Sequence, residues 1–279
     1  VKNKTKNRKL ENNKPLQLLI QFSEILQIIL TNWLIISAFF VIALLYAAVG
    51  FGGGSSYLAV LALSSLGFMQ IRAMALFCNI VVVSGGTYIY IKNGLFNYKK
   101  IFPLVLLSIP LAFLGGYLKI SQPFFFILLG ITLCIAAITM WFSQYQKNSN
   151  VEVTTKKTLV KDTAIGGFIG FVSGMVGIGG GIFLAPLLHL TKWDTPKRIA
   201  AASSFFILAN SVAGLIGQYQ NPEFSIEPKL TVILIFAVLI GGQIGSRLSI
   251  TLINALNLKR LTAVLIAFIG MKILLKHLF

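Results

Sequence analysis

The sequence predicts an all-α, polytopic helical membrane protein built from two homologous repeats, each with a helix broken at a Gly-rich motif. Three observations carry this. First, hydrophobic residues make up 56% of the 279 and charged residues only 11%, with a mean hydropathy of +0.85. A soluble domain needs roughly a quarter of its residues charged to cover its surface. Second, apolar runs long enough to cross a bilayer recur along the chain. Third, one glycine-rich cluster occurs twice. The composition excludes intrinsic disorder, a disulfide scaffold and an ordinary soluble enzyme.

The chain carries 24 Lys plus Arg against 7 Asp plus Glu, a net charge of +17. Its basic residues are scattered over the opening segment and short loops, which argues against nucleic acid as a partner. They suit contact with anionic headgroups and set topology, so the lipid bilayer is the expected partner. They also raise the local concentration of small anions. Cys78 and Cys134 lie inside apolar runs and form no spacing motif.

Taken in order, Val1 to Pro15 is polar and lysine-rich and does not read as a secretory leader. Leu16 to Leu30 is apolar but carries Gln17, Gln21, Glu24 and Gln27 at helical spacing. That stripe predicts an amphipathic helix in the membrane interface, with a short first span as the other reading. Full spans are expected at Trp33–Gly50, Ile71–Ile91, Ile101–Leu118, Phe124–Phe142, Ala164–Val176, Ile199–Tyr219, Leu230–Leu248 and Leu258–Leu278. Two pieces, Ser55–Leu66 and Ile182–Leu190, reach only about half of the hydrocarbon thickness.

Each short piece directly follows a glycine cluster, Gly50-Phe51-Gly52-Gly53-Gly54 or Gly177-Ile178-Gly179-Gly180-Gly181. One constant offset aligns the clusters and also places Ser84 on Ser211, Ala73 on Ala200 and Gly86 on Ala213. The expected domains are a basic tail with the N-terminal helix (1–31), a first repeat (32–142), a polar linker (143–161) and a second repeat (162–279). Lys and Arg placement favours parallel halves, by a margin that comes mostly from the tail. Inverted repeats are common in transporters and pull the other way.

A run of glycines costs a helix about 1 kcal/mol each relative to Ala, so two matched runs need a reason. Close helix packing explains isolated pairs such as Gly115-Gly116 and Gly241-Gly242. At the clusters, a broken helix explains more: the new half-helix starts with free N–H groups and a positive dipole end. The motifs GFGGGSSYLAVLAL and GMVGIGGGIFLAPLLHL, followed by TPKRIAAASSFFILANSVAG and GGQIGSRL, resemble the TauE/SafE sulfite exporter family. The second copy is the better match; the first has Ala59 where a proline is usual. The resemblance implies a transporter of small sulfur-containing anions, sulfite or organosulfonates, in the bacterial cell membrane.

The residues point the same way. None of the acids Glu11, Glu24, Glu152, Asp162, Asp194, Glu223 and Glu227 falls within an expected span. A cation carrier or proton pump usually keeps an intramembrane carboxylate. Arg72, Lys119, Arg198 and Arg247 sit at span ends and read as headgroup or loop anchors. With the resemblance, this places a small anionic substrate between the half-helix N-termini. It would be held by backbone around Gly52, Gly53, Gly54, Ser55 and Ser56, and around Gly179, Gly180 and Gly181. Asn79, Ser203, Ser204 and Asn210 would complete the shell. No cofactor, metal or catalytic residue is expected, and a homodimer is left open. The competing readings are an anion channel, or a transporter of an unrelated carboxylate or oxyanion. An intramembrane enzyme would need a nucleophile with a base, paired acids or a metal cluster at depth.

Overall fold

A computed structural model describes residues 17, 19–49, 52–142, 159–191, 193–248 and 255–278. The basic tail, Gly50, Phe51, most of the linker and residues 249–254 lie outside them. The described residues are almost wholly helical. The first half contains α1 (Leu19–Thr31), α2 (Trp33–Val49), α3 (Gly54–Leu61), α4 (Phe68–Lys92), α5 (Tyr98–Leu106), α6 (Ser108–Tyr117) and α7 (Gln122–Phe142). The second contains α8 (Leu159–Val176), α9 (Gly181–Leu190), α10 (Pro196–Tyr219), α11 (Pro228–Leu248) and α12 (Ala255–Leu278). Six segments are long and apolar enough to cross a membrane: α4, α5 with α6, α7, α8, α10 and α11. The count is seven if α1 and α2, which meet at 71°, form one span.

α1 exposes Leu19, Phe22, Leu26 and Leu30, and Glu24 on its polar stripe pairs with Lys229 on α11. Three expected elements differ in their bounds, the first being the short piece expected at Ser55–Leu66, which is helical only over Gly54–Leu61. The span at Ile101–Leu118 is two helices, α5 and α6, meeting at Leu107. Pro110 has no N–H for the carbonyl one turn back, so the ladder is interrupted there. α8 begins at Leu159 instead of Ala164, which brings Asp162 into its first turn. A carboxylate is favourable at that end of a helix, and this one accepts the Trp193 indole N–H at 3.3 Å.

Packing runs between the halves. α2 lies against α11, α6 against α8 and α10, α4 against α10, and α7 against α12. Thus the first long helix of each half packs on the third long segment of the other. Small residues let these pairs touch backbone to backbone. A Cβ on Gly245 or Gly241 would run into the Leu44 or Phe40 carbonyl of α2. One on Gly116 would run into the Gly214 carbonyl, and one on Gly174 into that of Ala112. The buried core between them includes Phe39, Tyr57, Leu58, Met74, Phe125, Leu129 and Leu234.

One end of the bundle is held by charge. Lys100 on α5 donates to the Asp194 carboxylate at 2.7 Å and to the Trp193 carbonyl at 3.3 Å. Its ammonium lies 5.3 Å from the centre of the Trp193 ring. Asp194 is buried; it also accepts the Thr195 N–H at 2.7 Å and faces Arg198 at 3.8 Å. This group ties α5 to the loop between α9 and α10.

Gly116→Ala should lower the stability of the detergent-solubilised protein by about 1–3 kcal/mol, the usual cost of overpacking. Gly67→Ala should be nearly neutral, since Gly67 meets nothing closer than Gln70 Oε1 at 3.6 Å. Thermal unfolding midpoints of the two variants check this.

Candidate functional site

The site begins with the backbone. Gly53 has φ 84° and Gly180 φ 80°, each immediately before the first residue of a short helix. Gly177 and Gly179 are also left-handed, at φ 87° and 82°. An L-residue in that region costs roughly 1–2 kcal/mol, which explains glycine at these positions. α2 ends at Val49 and α3 starts at Gly54; α8 ends at Val176 and α9 starts at Gly181. No side chain caps the first turn of α3 or of α9.

Asn79 of α4 stands between the two clusters. Its Nδ2 donates to the Ile178 carbonyl at 2.8 Å and to Ser211 Oγ at 3.4 Å. Its Oδ1 is buried without a partner. A Cβ on Gly54 or on Gly179 would lie 2.5 Å from Nδ2, and one on Gly52 would collide with Oδ1. Glycines of both clusters therefore make room for one amide. Beside it is a cavity of ≈20 Å³ lined by Tyr46, Gly52, Gly53, Gly54, Ser55, Asn79, Met140, Ile178, Gly181, Ile182, Pro186 and Ile207. It contains the first residues of α3 and of α9 and no charged side chain. The volume suits about one water molecule.

Of the residues singled out in the sequence, Gly52, Gly53, Gly54, Ser55, Asn79 and Gly181 share this cavity. Gly179 abuts Asn79 from behind. The open side of Gly180 faces Phe206, Ile169 and Ser173. Ser56 is turned to the Tyr46 hydroxyl at 2.7 Å. Ser204 joins α10 to α4, with Thr87 Oγ1 at 2.9 Å and the Val83 carbonyl at 3.3 Å. Ser203 and Asn210 are buried on α10, their side-chain polar atoms without hydrogen-bond partners. None of Ser203, Ser204 and Asn210 lines the cavity.

Sequence reasoning missed Tyr46, Met140 and Ile207, which reach the cavity from α2, α7 and α10 and carry no local signal. It also misplaced Arg72. The residue is fully buried, with Nη2 on the Gly174 carbonyl at 3.3 Å and Nη1 on Met69 Sδ at 3.4 Å. Among the described residues no group of three or more His, Cys, Asp or Glu could hold a metal ion.

The long apolar helices make this a multi-pass helical membrane protein, with an interior site built from backbone and neutral side chains. Residues 34–273 match the family described as Sulfite exporter TauE/SafE. The chain belongs to that family of membrane transporters. It is 36% identical over 239 residues to a probable membrane transporter protein of Sinorhizobium fredii, covering 85% of this chain and 96% of that one. It is 30% identical over 131 residues to a probable membrane transporter protein of Methanocaldococcus jannaschii, covering 45% and 46% of the two chains. It is 24% identical over 108 residues to an Arabidopsis thaliana protein named Sulfite exporter TauE/SafE family protein 6, covering 39% and 25%. No solved structure matches.

Asn79→Ala should destabilise the protein by about 1–3 kcal/mol, because it leaves the Ile178 carbonyl without this donor. Gly54→Ala should be at least as damaging, since its Cβ would meet both Nδ2 and the Ile178 carbonyl at 2.5 Å. Unfolding midpoints of purified variants read both effects.

Proposed function

We propose that the protein moves a small sulfur-containing monoanion, of the sulfite or organosulfonate class, across the cell membrane. The anion binds between the first turns of α3 and α9, beside Asn79. The observation that carries this is the single cavity lined by the starts of both short helices, with no charged side chain in it. Uncapped helix starts present N–H donors and a partial positive charge, which suit an oxyanion. The family and the printed name of the plant relative support the sulfur class.

The two halves act as repeats whose clusters face one another, and their reciprocal packing supports that reading. A cavity of ≈20 Å³ is a closed state; loading an anion requires the halves to part. Ser203 and Asn210, buried with partnerless side-chain polar atoms on α10, join the shell when they do. Gly53 and Gly180 are the hinges, each being in the left-handed region where only glycine is unstrained.

In proteoliposomes, sulfite should show saturable flux and counterflow; a non-saturating flux would identify a channel instead. Ser55→Asp places a carboxylate in the cavity. It also stands in the first turn of α3, where a negative charge favours the helix, so the protein should still accumulate in the membrane. At contact distance the like charges should reduce anion flux by at least about a hundredfold. Undiminished anion flux in Ser55→Asp, or transport of a cation, would overturn the assignment.

A further inference from the structure

Four helix ends converge on the two clusters. α3 and α9 begin there, and α2 and α8 end there. Each start carries roughly half a positive charge and each end roughly half a negative one, so the four nearly cancel. The site therefore has donors and the local positive ends of α3 and α9, but little net charge over the four ends together to select an anion.

Arg72 supplies what is missing. Its side chain is fully buried on α4. No carboxylate lies within ion-pair distance of it among the described residues, and its Nε has no hydrogen-bond partner. One arm reaches the carbonyl of Gly174, in the last turn of α8. A buried guanidinium without a counter-ion is costly. Capping a helix end does not require it, since a neutral donor would serve the same carbonyl. Arg72 and Asn79 lie two turns apart on α4, roughly 10 Å. Both reach the same strip of the second half, at Gly174 and at Ile178.

We infer that Arg72 is the residue that makes the cavity select an anion, acting through its field and not by contact. The inference rests on the proposed anion site. A unit charge at roughly 10 Å in a protein interior changes the affinity for a monoanion about tenfold. It leaves a neutral molecule of the same shape unaffected. Replacement by a neutral donor should therefore separate charge from capping.

The experiment is sulfite flux in proteoliposomes, inhibited by methanesulfonate (a monoanion) or by methanesulfonamide (its neutral isostere). In Arg72→Gln the inhibition constant for methanesulfonate should rise about tenfold, with that for methanesulfonamide unchanged. Arg72→Lys should match the wild type for both. If Arg72→Gln does not accumulate, Leu76→Glu is compared with Leu76→Gln. Leu76 is buried one turn from Arg72 on the same face, so the glutamate gives the guanidinium its missing partner and cancels its charge. The same selective loss for methanesulfonate is expected. Equal weakening of both inhibitors would show a structural role, and no change would show that the charge is not felt; either overturns the inference. Absence of saturable sulfite flux in the wild type would remove the proposed function and this inference together. Normal wild-type flux with an indifferent Arg72→Gln would remove this inference alone.

Discussion

In hydrocarbon every backbone polar group must find its partner inside the protein, and the hydrogen bond from Asn79 to the Ile178 carbonyl meets that demand where the chain leaves α8. Ile178 lies between helices, so no ladder serves its carbonyl. The amide that does so comes from α4, and its approach dictates what may stand nearby. Gly52, Gly54 and Gly179 have no Cβ because the Asn79 side chain occupies the space that one would fill. The glycines that look like chain breakers in the sequence are thus also clearance for a single side chain, from α4 of the first half.

The two halves are not equal in this respect. The offset that aligns the clusters places Phe206 opposite Asn79. Phe206 is buried and packs its ring on Gly180. The amide of α4 approaches both clusters, and an aromatic ring of α10 approaches the second alone. Asn210, the amide of α10, stands opposite Val83, one turn further along. A departure at Leu76 and Phe77, opposite Ser203 and Ser204, belongs to the same pattern. Leu76 packs toward Gly214 where a hydroxyl would need a partner.

Much of this was legible in the sequence, because long apolar runs and paired glycine clusters are local signals. Nearly every expected span has a helix at its place, within a few residues. Gly52 and Gly54 read in the sequence as part of a helix break, whereas the clearance they give Asn79 was not visible there. Arg72 was not. A basic residue at the end of an apolar run looks the same whether it snorkels to headgroups or turns inward. Only the passage of Gly174 and Gly177 beside it decides. Ser204 was unreadable for a similar reason: its partners Thr87 and Val83 are remote in sequence. The interruption at Leu107 was available from Pro110, but the unbroken apolar run around it reads as one span.

These tertiary bonds have a common origin. Asn79 to Ile178 and Ser211, Arg72 to Gly174, and Thr87 and Val83 to Ser204 all join α4 to the second half. Among the described residues the other contacts between the halves at depth are mostly glycine and apolar side chains, where backbones touch but seldom bond. Hydrogen bonds are directional and short-ranged, whereas apolar faces tolerate displacement at lower cost. Coupling between the halves at depth is therefore concentrated on one face of α4. That face carries the buried charge at one level and the central amide two turns above it. Any rearrangement that opens the cavity must break or exchange bonds along this helix. An anion whose oxygen accepts from Asn79 Nδ2 would lower the cost of doing so. The groups proposed to bind the anion are the same groups that join α4 to the second half.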